Sequence, residues 1–143
     1  MLSYPARFTA DREAGGYVIS FPDVPEAVTQ ADSIEEGIEM AADCLELILG
    51  EYIRLGRPIP TPSARKRGYR PIRLPFFVAL KVELYDAWLD SGVKKAQLAQ
   101  RLGIPRANVD RLFDLKHVSR PEQIEEAFAA LGKQVDVQVR NVA

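Results

Sequence analysis

Arg106, Asn108 and Arg111 are the residues whose types and spacing most clearly indicate chemistry in this 143-residue chain. Arginine can bind guanine, and asparagine adenine, through paired hydrogen bonds to base edges in the major groove of DNA. The three residues fall within one helical stretch, on or near its exposed face, so a single helix could present them to bases. Phosphate contacts would orient such a helix, and the candidates for these contacts are Lys94, Lys95, Gln97 and Lys116.

The segment 97–113, QLAQRLGIPRANVDRLF, has the spacing of a helix-turn-helix. Ala99 is small where two helices would cross, and Gly103, four residues later, would make the turn. Val109 and Leu112 would anchor the second helix to a core. The alternative is a plain three-helix bundle without a DNA-binding role. Because one such unit makes few base contacts, a dimer on a near-palindromic site is expected.

Charge is divided unevenly along the chain, although the net charge is −1. Residues 1–62 hold 4 Lys and Arg against 11 Asp and Glu, and residues 63–143 hold 15 against 9. The basic half suits a polyanion such as DNA. The acidic half suits a basic protein, with a plainly solvated acidic surface as the alternative. We therefore expect two surfaces with partners of opposite charge.

The first half of the chain has the pattern of a small sheet with one helix. Alternating apolar residues predict strands at 2–9, 17–21, 27–30 and 72–74. Ser33 and Glu36 form a capping box that would begin a helix ending at Gly56. Its predicted apolar stripe is Ile34, Ile38, Ala41, Leu45, Ile48, Leu49 and Tyr52, with Glu35, Glu39, Asp43 and Glu46 beside it. Residues 57–71, rich in proline and basic residues, predict a linker.

The second half has helical periodicity until its last residues. The predicted helices are 76–91, about 94–102, about 105–116 and 121–131. Phe77, Leu80, Leu84, Ala87 and Trp88 would be the inward face of the first of these. The alternating residues Val135, Val137, Val139 and Val142 predict a closing strand. A lone terminal strand is an exposed edge, so we expect Val135, Val137 and Val139 to pair with a second copy of the chain.

Several classes of protein are not indicated by the sequence. No run of about 18 apolar residues suits a membrane helix, and no export signal is evident. Cys44 is the single cysteine, which favours a reducing, cytoplasmic setting. His117 is the single histidine, so neither a zinc site nor a serine–histidine triad is expected. We expect no enzymatic activity, no metal and no cofactor.

Several segments, in order, resemble the HicB antitoxin family. They are YVISFPDVP at 17–25, DSIEE at 32–36 and GRPIPTPS at 56–63. In the second half, Leu98-Ala99, Leu102-Gly103, Arg111-Leu112 and 130–133 are similar to the helix-turn-helix branch of that family. The chain departs from the family pattern at three places. Glu26 stands where the family usually has glycine, and Ala27 where cysteine is frequent. Ala31, after Gln30, stands where glycine is more common.

The resemblance implies an α+β fold in two parts. A partial ribonuclease-H-like βββαβ domain would occupy 1–63, with a linker and the last strand at 64–75. An all-α helix-turn-helix domain with a terminal strand would occupy 76–143. The first would bind and mask a HicA-type mRNA-cleaving toxin, and its candidate contacts are Asp23, Glu26, Glu35, Glu39, Asp43 and Glu46. The second would dimerise and bind the operator of its own operon.

Two other hypotheses remain open from the sequence alone. The chain could be a stand-alone transcriptional regulator whose first domain binds a small ligand in an apolar pocket. It could also be a nuclease remnant, but metal-dependent nucleases need carboxylates that converge on cations. Here the acids lie in a hairpin turn, in a loop and along a helix exterior, so the antitoxin hypothesis is preferred.

Overall fold

The sheet is formed by three strands that are close in sequence and a fourth that follows about 40 residues later. The structure is a computed structural model that describes residues 2–142. Its strands are β1 (Ser3–Ala10), β2 (Tyr17–Ser20), β3 (Val28–Ala31) and β4 (Arg70–Arg73). The order across the sheet is β3-β2-β1-β4 and every pairing is antiparallel. The four strands expected from alternation are therefore present, and β4 is an edge strand paired with β1.

One long helix, α1 (Ile34–Arg54), covers one face of this sheet. Ser33 Oγ accepts a hydrogen bond from the Glu36 backbone N–H at 3.1 Å, which confirms the predicted cap. Glu36 reaches back to the N–H of Asp32 at 2.9 Å, one residue before the position of an ideal capping box. After the helix, Gly56 adopts a left-handed φ of 68° and ends it as expected.

The buried side of α1 differs from the predicted stripe at one position. Ile38 was expected inside, but 43% of its surface is exposed. Gly37 is buried against the sheet instead. A Cβ added at Gly37 would lie only 2.6 Å from the Phe8 ring and 2.9 Å from Ile19 Cδ1. The helix therefore approaches β1 and β2 most closely where it has no side chain.

Four further helices follow β4. They are α2 (Phe76–Ser91), α3 (Lys95–Leu102), α4 (Arg106–Phe113) and α5 (Pro121–Ala130). The mixed α+β composition and the order of elements agree with the sequence. Two predictions were wrong: Phe77 is 45% exposed rather than inward, and α4 ends at Phe113 rather than near Lys116. The early end has a physical cause in the buried residue Lys81, described below.

The helix α2 joins two apolar cores. Its first half contributes Val78, Ala79 and Val82 to the core between the sheet and α1. Its second half contributes Leu84 and Tyr85 to the core among α3, α4 and α5. Because consecutive turns of one rigid helix belong to both cores, the sheet and the later helices are connected through packing as well as through the chain.

The C-terminal segment does not form the predicted strand. Residues 133–142 have no regular secondary structure in the described chain. Val137, Val139 and Val142 are 77%, 91% and 81% exposed, and Val135 packs partly against the helical core. A strand needs backbone hydrogen bonds to a neighbour, and within residues 2–142 this segment forms no strand pairing.

Candidate functional site

The helices α3 and α4 are held by a tight glycine turn. Gly103 has a left-handed φ of 65°, a conformation that costs glycine little. The N–H of Ile104 donates to the Ala99 carbonyl at 3.1 Å and closes the turn. Ala99, Val109 and Leu112 are all buried, as their spacing predicted. The sequence therefore fixes the crossing of these two helices through a small residue, a turn and two aliphatic anchors.

The C-terminal end of α4 is held by a buried lysine on α2. Lys81 is only 2% exposed. Its Nζ donates to the carbonyl oxygens of Arg111 at 3.0 Å and Asp114 at 2.8 Å, and also to that of His117. The Arg111 carbonyl is one of those left free at a helix end, and the Asp114 and His117 carbonyls belong to the chain that follows, so Lys81 binds the backbone on both sides of this end. Burial lowers the pKa of Lys81 to about 8, against a smaller opposing effect of Asp114.

One flank of α4 is occupied by an internal ion-pair network. Asp110 accepts hydrogen bonds from Lys95 Nζ at 2.8 Å and from Arg106 Nη1 at 3.0 Å. The hydrogen bond from Lys95, with help from the charges of both cations, holds the pKa of Asp110 below its usual range. Lys95 also lies over the rings of Trp88 and Phe113. Two of the predicted DNA-contacting cations are thus engaged by an acid on the same surface.

The other flank of α4 has free polar groups around a groove. Asn108 and Arg111 line a cleft of about 370 Å³ between α4 and the start of α5. His117 and Arg120 line the same cleft. Arg120 was not among the residues selected from the sequence, although it directly precedes a helix start at Pro121. The structure therefore brings Asn108 and Arg111 together with a second arginine, which spacing alone did not indicate.

The remaining residues expected to contact phosphates are more dispersed. Lys94 and Gln97 are exposed at the start of α3, where the Gln97 side chain accepts the Lys94 N–H at 2.9 Å. Lys116 lies beyond α4, in a cleft of about 550 Å³ between α4 and α1. Glu46 of α1 lines the same cleft. Lys116 therefore faces an acid of α1 as well as solvent.

Four of the six acids expected to contact a partner lie together on α1. Glu35, Glu39 and Asp43 are exposed, and Glu46 is half-buried. Burial raises the pKa of Glu46, the charge of Asp43 raises it further, and Lys116 opposes both effects. Three of the carboxylates are thus fully available to solvent, while the fourth is at the edge of the cleft with α4.

The other two acids are used within the protein. Asp23 accepts hydrogen bonds from the N–H of Ser63 at 2.8 Å and from its hydroxyl. Glu26 accepts the hydroxyl of Tyr52 at 2.6 Å, and this bond is the main reason why the pKa of Glu26 is lowered. Tyr52 lies near the C-terminal end of α1, about 25 Å from Glu35 at 1.5 Å per residue. The structure therefore separates Glu26 from Glu35, at the start of α1, more than from Glu46, which is only about 9 Å along the helix from Tyr52.

Metal-binding clusters and membrane-spanning helices are not observed among residues 2–142. Among residues 2–142, no three or more His, Cys, Asp or Glu side chains converge in a way that could hold a metal ion. In the same part of the chain, no helix has both the length and the apolar character needed to cross a membrane. What the arrangement offers is a basic, amide-bearing helix surface and an acidic helix surface.

Comparison with known proteins gives a consistent result. The sequence pattern of HicB-like antitoxins of bacterial toxin–antitoxin systems matches residues 3–83, which is more than half of the chain. Antitoxin HicB of Escherichia coli K12 is 37% identical over 136 residues, covering 95% of this chain and 98% of the relative. Antitoxin HicB of Pseudomonas fluorescens Pf0-1 is 40% identical over 124 residues, covering 86% and 85%. Antitoxin HicB 1 of Photorhabdus laumondii is 38% identical, covering 89% and 81%.

Proposed function

The chain belongs to the HicB-like antitoxin family, and we propose that it neutralises a HicA-type mRNA-cleaving toxin and represses its own operon. An antitoxin acts by binding, which is not an enzymatic role. Because such a toxin cleaves mRNA, we propose that the protein acts in the cytoplasm. The observation that carries the proposal is the presence of two surfaces of opposite charge, on α1 and on α4, in a relative of named antitoxins.

Neutralisation is assigned to the acidic side of α1. Glu35, Glu39 and Asp43 are exposed and are spaced along one face of the helix. An RNA-cleaving toxin must present cations to its RNA, so a row of carboxylates can occupy the same surface and exclude RNA sterically. Asp23 and Glu26, which stabilise the loop at 57–63, would support this binding through the shape of the fold.

The order of three strands, a helix and a fourth strand supports the partial ribonuclease-H-like assignment for the first part. We assign toxin binding to residues 1–63 together with the linker and strand at 64–75. Residues 76–143 would bind DNA and dimerise. The packing of α2 into both cores means that a test should use the full chain rather than an isolated part.

Co-expression with a HicA-type toxin tests the first assignment. The double variant Glu39→Lys/Asp43→Lys should lose growth rescue and co-purification with the toxin, because two attractive contacts become repulsive. Its control is Glu13→Lys/Glu125→Lys, which makes the same change in net charge at exposed positions away from α1. Equal rescue by both variants would contradict a role for the acidic surface of α1.

Repression is assigned to α3 and α4 acting as a helix-turn-helix. The closed turn at Gly103 and the exposed Arg111 support this assignment. Asn108 lines the adjacent groove, so it would read bases beside Arg111, with Arg120 on a phosphate. Arg106, Lys94, Lys95, Gln97 and Lys116 are the further proposed contacts.

Binding of the protein to DNA from its own promoter tests this second assignment. Arg111→Ala should reduce affinity for the operator by about 1–3 kcal/mol, the usual value of a good bidentate base contact. Lys133→Ala removes an exposed cation beyond α5 and serves as the control. Equal loss in both variants, or none in either, would contradict base reading by α4.

Dimerisation is assigned to the C-terminal segment. Val137 and Val139 are exposed and alternate in a segment that forms no strand pairing within residues 2–142. Pairing with the same segment of a second copy would satisfy the backbone groups and bury Val135, Val137 and Val139. Val137→Asp/Val139→Asp should lower the mass measured by sedimentation, and an unchanged mass would contradict the assignment.

A further inference from the structure

A shallow depression of about 250 Å³ lies on the sheet face opposite α1. Side chains alternate across a strand. In β1, Tyr4 and Ala6 enter the core shared with α1, so Pro5 points to the other side. Pro5 pairs with Pro71 of β4, and both prolines line the depression. This site is therefore outside both surfaces proposed above.

Four cations from three separate segments surround these prolines. The lining residues are Arg65, Lys66, Arg73 and Arg140, with Ser3, Ser63 and Tyr69 between them. No Asp or Glu is among the lining residues. The N–H of Tyr69 donates to the Lys66 carbonyl at 3.2 Å, so a turn keeps the half-buried ring beside the lysine. Within residues 2–142, none of the four cations forms an ion pair.

The nearby acid Asp23 does not balance this charge directly. It accepts both the backbone N–H and the hydroxyl of Ser63, and it is not itself among the residues that line the depression. The depression consequently offers donors from guanidinium, ammonium and tyrosine hydroxyl groups. Guanidinium groups bind phosphate with paired, charge-assisted hydrogen bonds, which gives them a preference for planar or tetrahedral oxyanions.

The site is also separated from α4 by the body of the protein. Lys116 and Asp110 line a cleft with Glu46 on the outer side of α1, whereas the depression lies beyond the sheet. The DNA contacts proposed for α4 therefore do not include Arg73. From the sequence, we expected the positive charge of the second half to bind one partner. In the structure, this charge is divided between two sides of the molecule.

We propose that Arg65, Lys66, Arg73 and Arg140 form a second nucleic-acid site that binds backbone phosphates on the open face of the sheet. The shared chemistry is the phosphodiester group, in a single strand or in a duplex. The ring of Tyr69 at the rim is positioned to stack on a base of a single strand. This site is independent of the operator contacts proposed for α4.

Binding of labelled, sequence-random oligonucleotides to the full-length protein tests the proposal. Fluorescence anisotropy is measured over a range of NaCl concentrations, with single-stranded RNA in one arm and duplex DNA in the other. The test variant is Arg65→Ala/Lys66→Ala/Arg73→Ala. The charge-matched control is Arg12→Ala/Arg54→Ala/Lys133→Ala, all exposed and away from the depression. Thermal denaturation of each variant verifies that it is folded.

The slope of log affinity against log salt is the decisive quantity. Each phosphate contact contributes about 0.7 to the slope for a single strand and about 0.9 for a duplex. Loss of three contacts should therefore lower the slope by about 2 with RNA or by about 3 with duplex DNA, and the arm in which the loss reaches its full expected value identifies the ligand. When the three test substitutions are made in a protein that already carries Arg106→Ala/Arg111→Ala, they should cause the same loss of slope. A test variant that binds like its charge-matched control would overturn the proposal. Polyglutamate that displaces labelled RNA as well as unlabelled RNA does would also overturn it.

Discussion

Nζ of Lys81, in the middle of α2, lies 3.0 Å from the carbonyl oxygen of Arg111, in the last turn of α4. A helix that contributes to the core beside the sheet thereby fixes the end of the helix proposed to enter DNA. The backbone carbonyl of Arg111 is bound by Lys81, while the side chain of Arg111 is exposed to solvent. The position of this side chain is therefore set by a residue far away in sequence.

Replacement of that lysine has an expected effect on stability that depends on pH. Lys81→Met leaves buried carbonyls without a donor and should destabilise the fold by about 1–3 kcal/mol at pH 7. The pKa of Lys81 is about 8 in the folded protein and is higher when unfolded, so the unfolded chain binds more protons between these values. Wild-type stability relative to the variant should then rise with pH above 8, by up to about 1.4 kcal/mol per unit. Urea unfolding at pH 7.5 and 9.5 measures this difference, and a constant or shrinking difference would contradict it.

Removal of the acid on α4 should strengthen binding to DNA. Asp110→Asn releases Lys95 and Arg106 from their ion pairs and removes a charge that repels phosphate. The salt slope for non-specific duplex DNA should become steeper by up to about 2, since each new phosphate contact adds about 0.9. Glu125→Gln on α5 makes the same change in charge and should have little effect. Equal slopes for the two variants would contradict the prediction that Asp110 keeps Lys95 and Arg106 from phosphate.

The hydroxyl of Tyr52 should control the titration of Glu26. Its hydrogen bond at 2.6 Å is the main cause of the lowered pKa of Glu26. Tyr52→Phe should raise that pKa toward its ordinary value, as measured by NMR titration of the carboxyl carbon. A lowered carboxyl pKa stabilises the fold above the unfolded value, and this contribution is lost as the pH falls through the folded value. Tyr17→Phe, at the other end of the sheet, should leave the titration of Glu26 unchanged.

Two glycines of α1 should respond to alanine with opposite signs. At Gly37 the new Cβ would lie 2.6 Å from Phe8 Cε2, so Gly37→Ala should cost about 1–3 kcal/mol through overpacking. At Gly50 the nearest neighbour is Leu115 Cδ1 at 3.8 Å, so Gly50→Ala should gain about 0.5–1 kcal/mol from helix propensity. Thermal denaturation of both variants decides this, and the same sign for both would contradict the close approach of α1 to the sheet.

The features that sequence predicted correctly depend on neighbouring residues. Alternation gave the strands, the Ser33 cap began α1, and Gly103 marked the turn between α3 and α4. These signals act over a few residues, so they can be recognised without knowledge of the fold. Ile38 and Phe77 were misplaced because helical periodicity gives a direction, while burial depends on what other elements cover.

The amino-acid order alone determined the elements, the family and the uneven distribution of charge. Tertiary structure decided which polar groups are free. It pairs Lys95 and Arg106 with Asp110, ties Asp23 to Ser63, and divides the basic residues between α4 and the open face of the sheet. It also buries Lys81, whose ammonium group binds the backbone at the end of α4. The physical reason is that hydrogen bonds and ion pairs depend on distances of a few ångströms between residues that the chain separates by up to 56 positions.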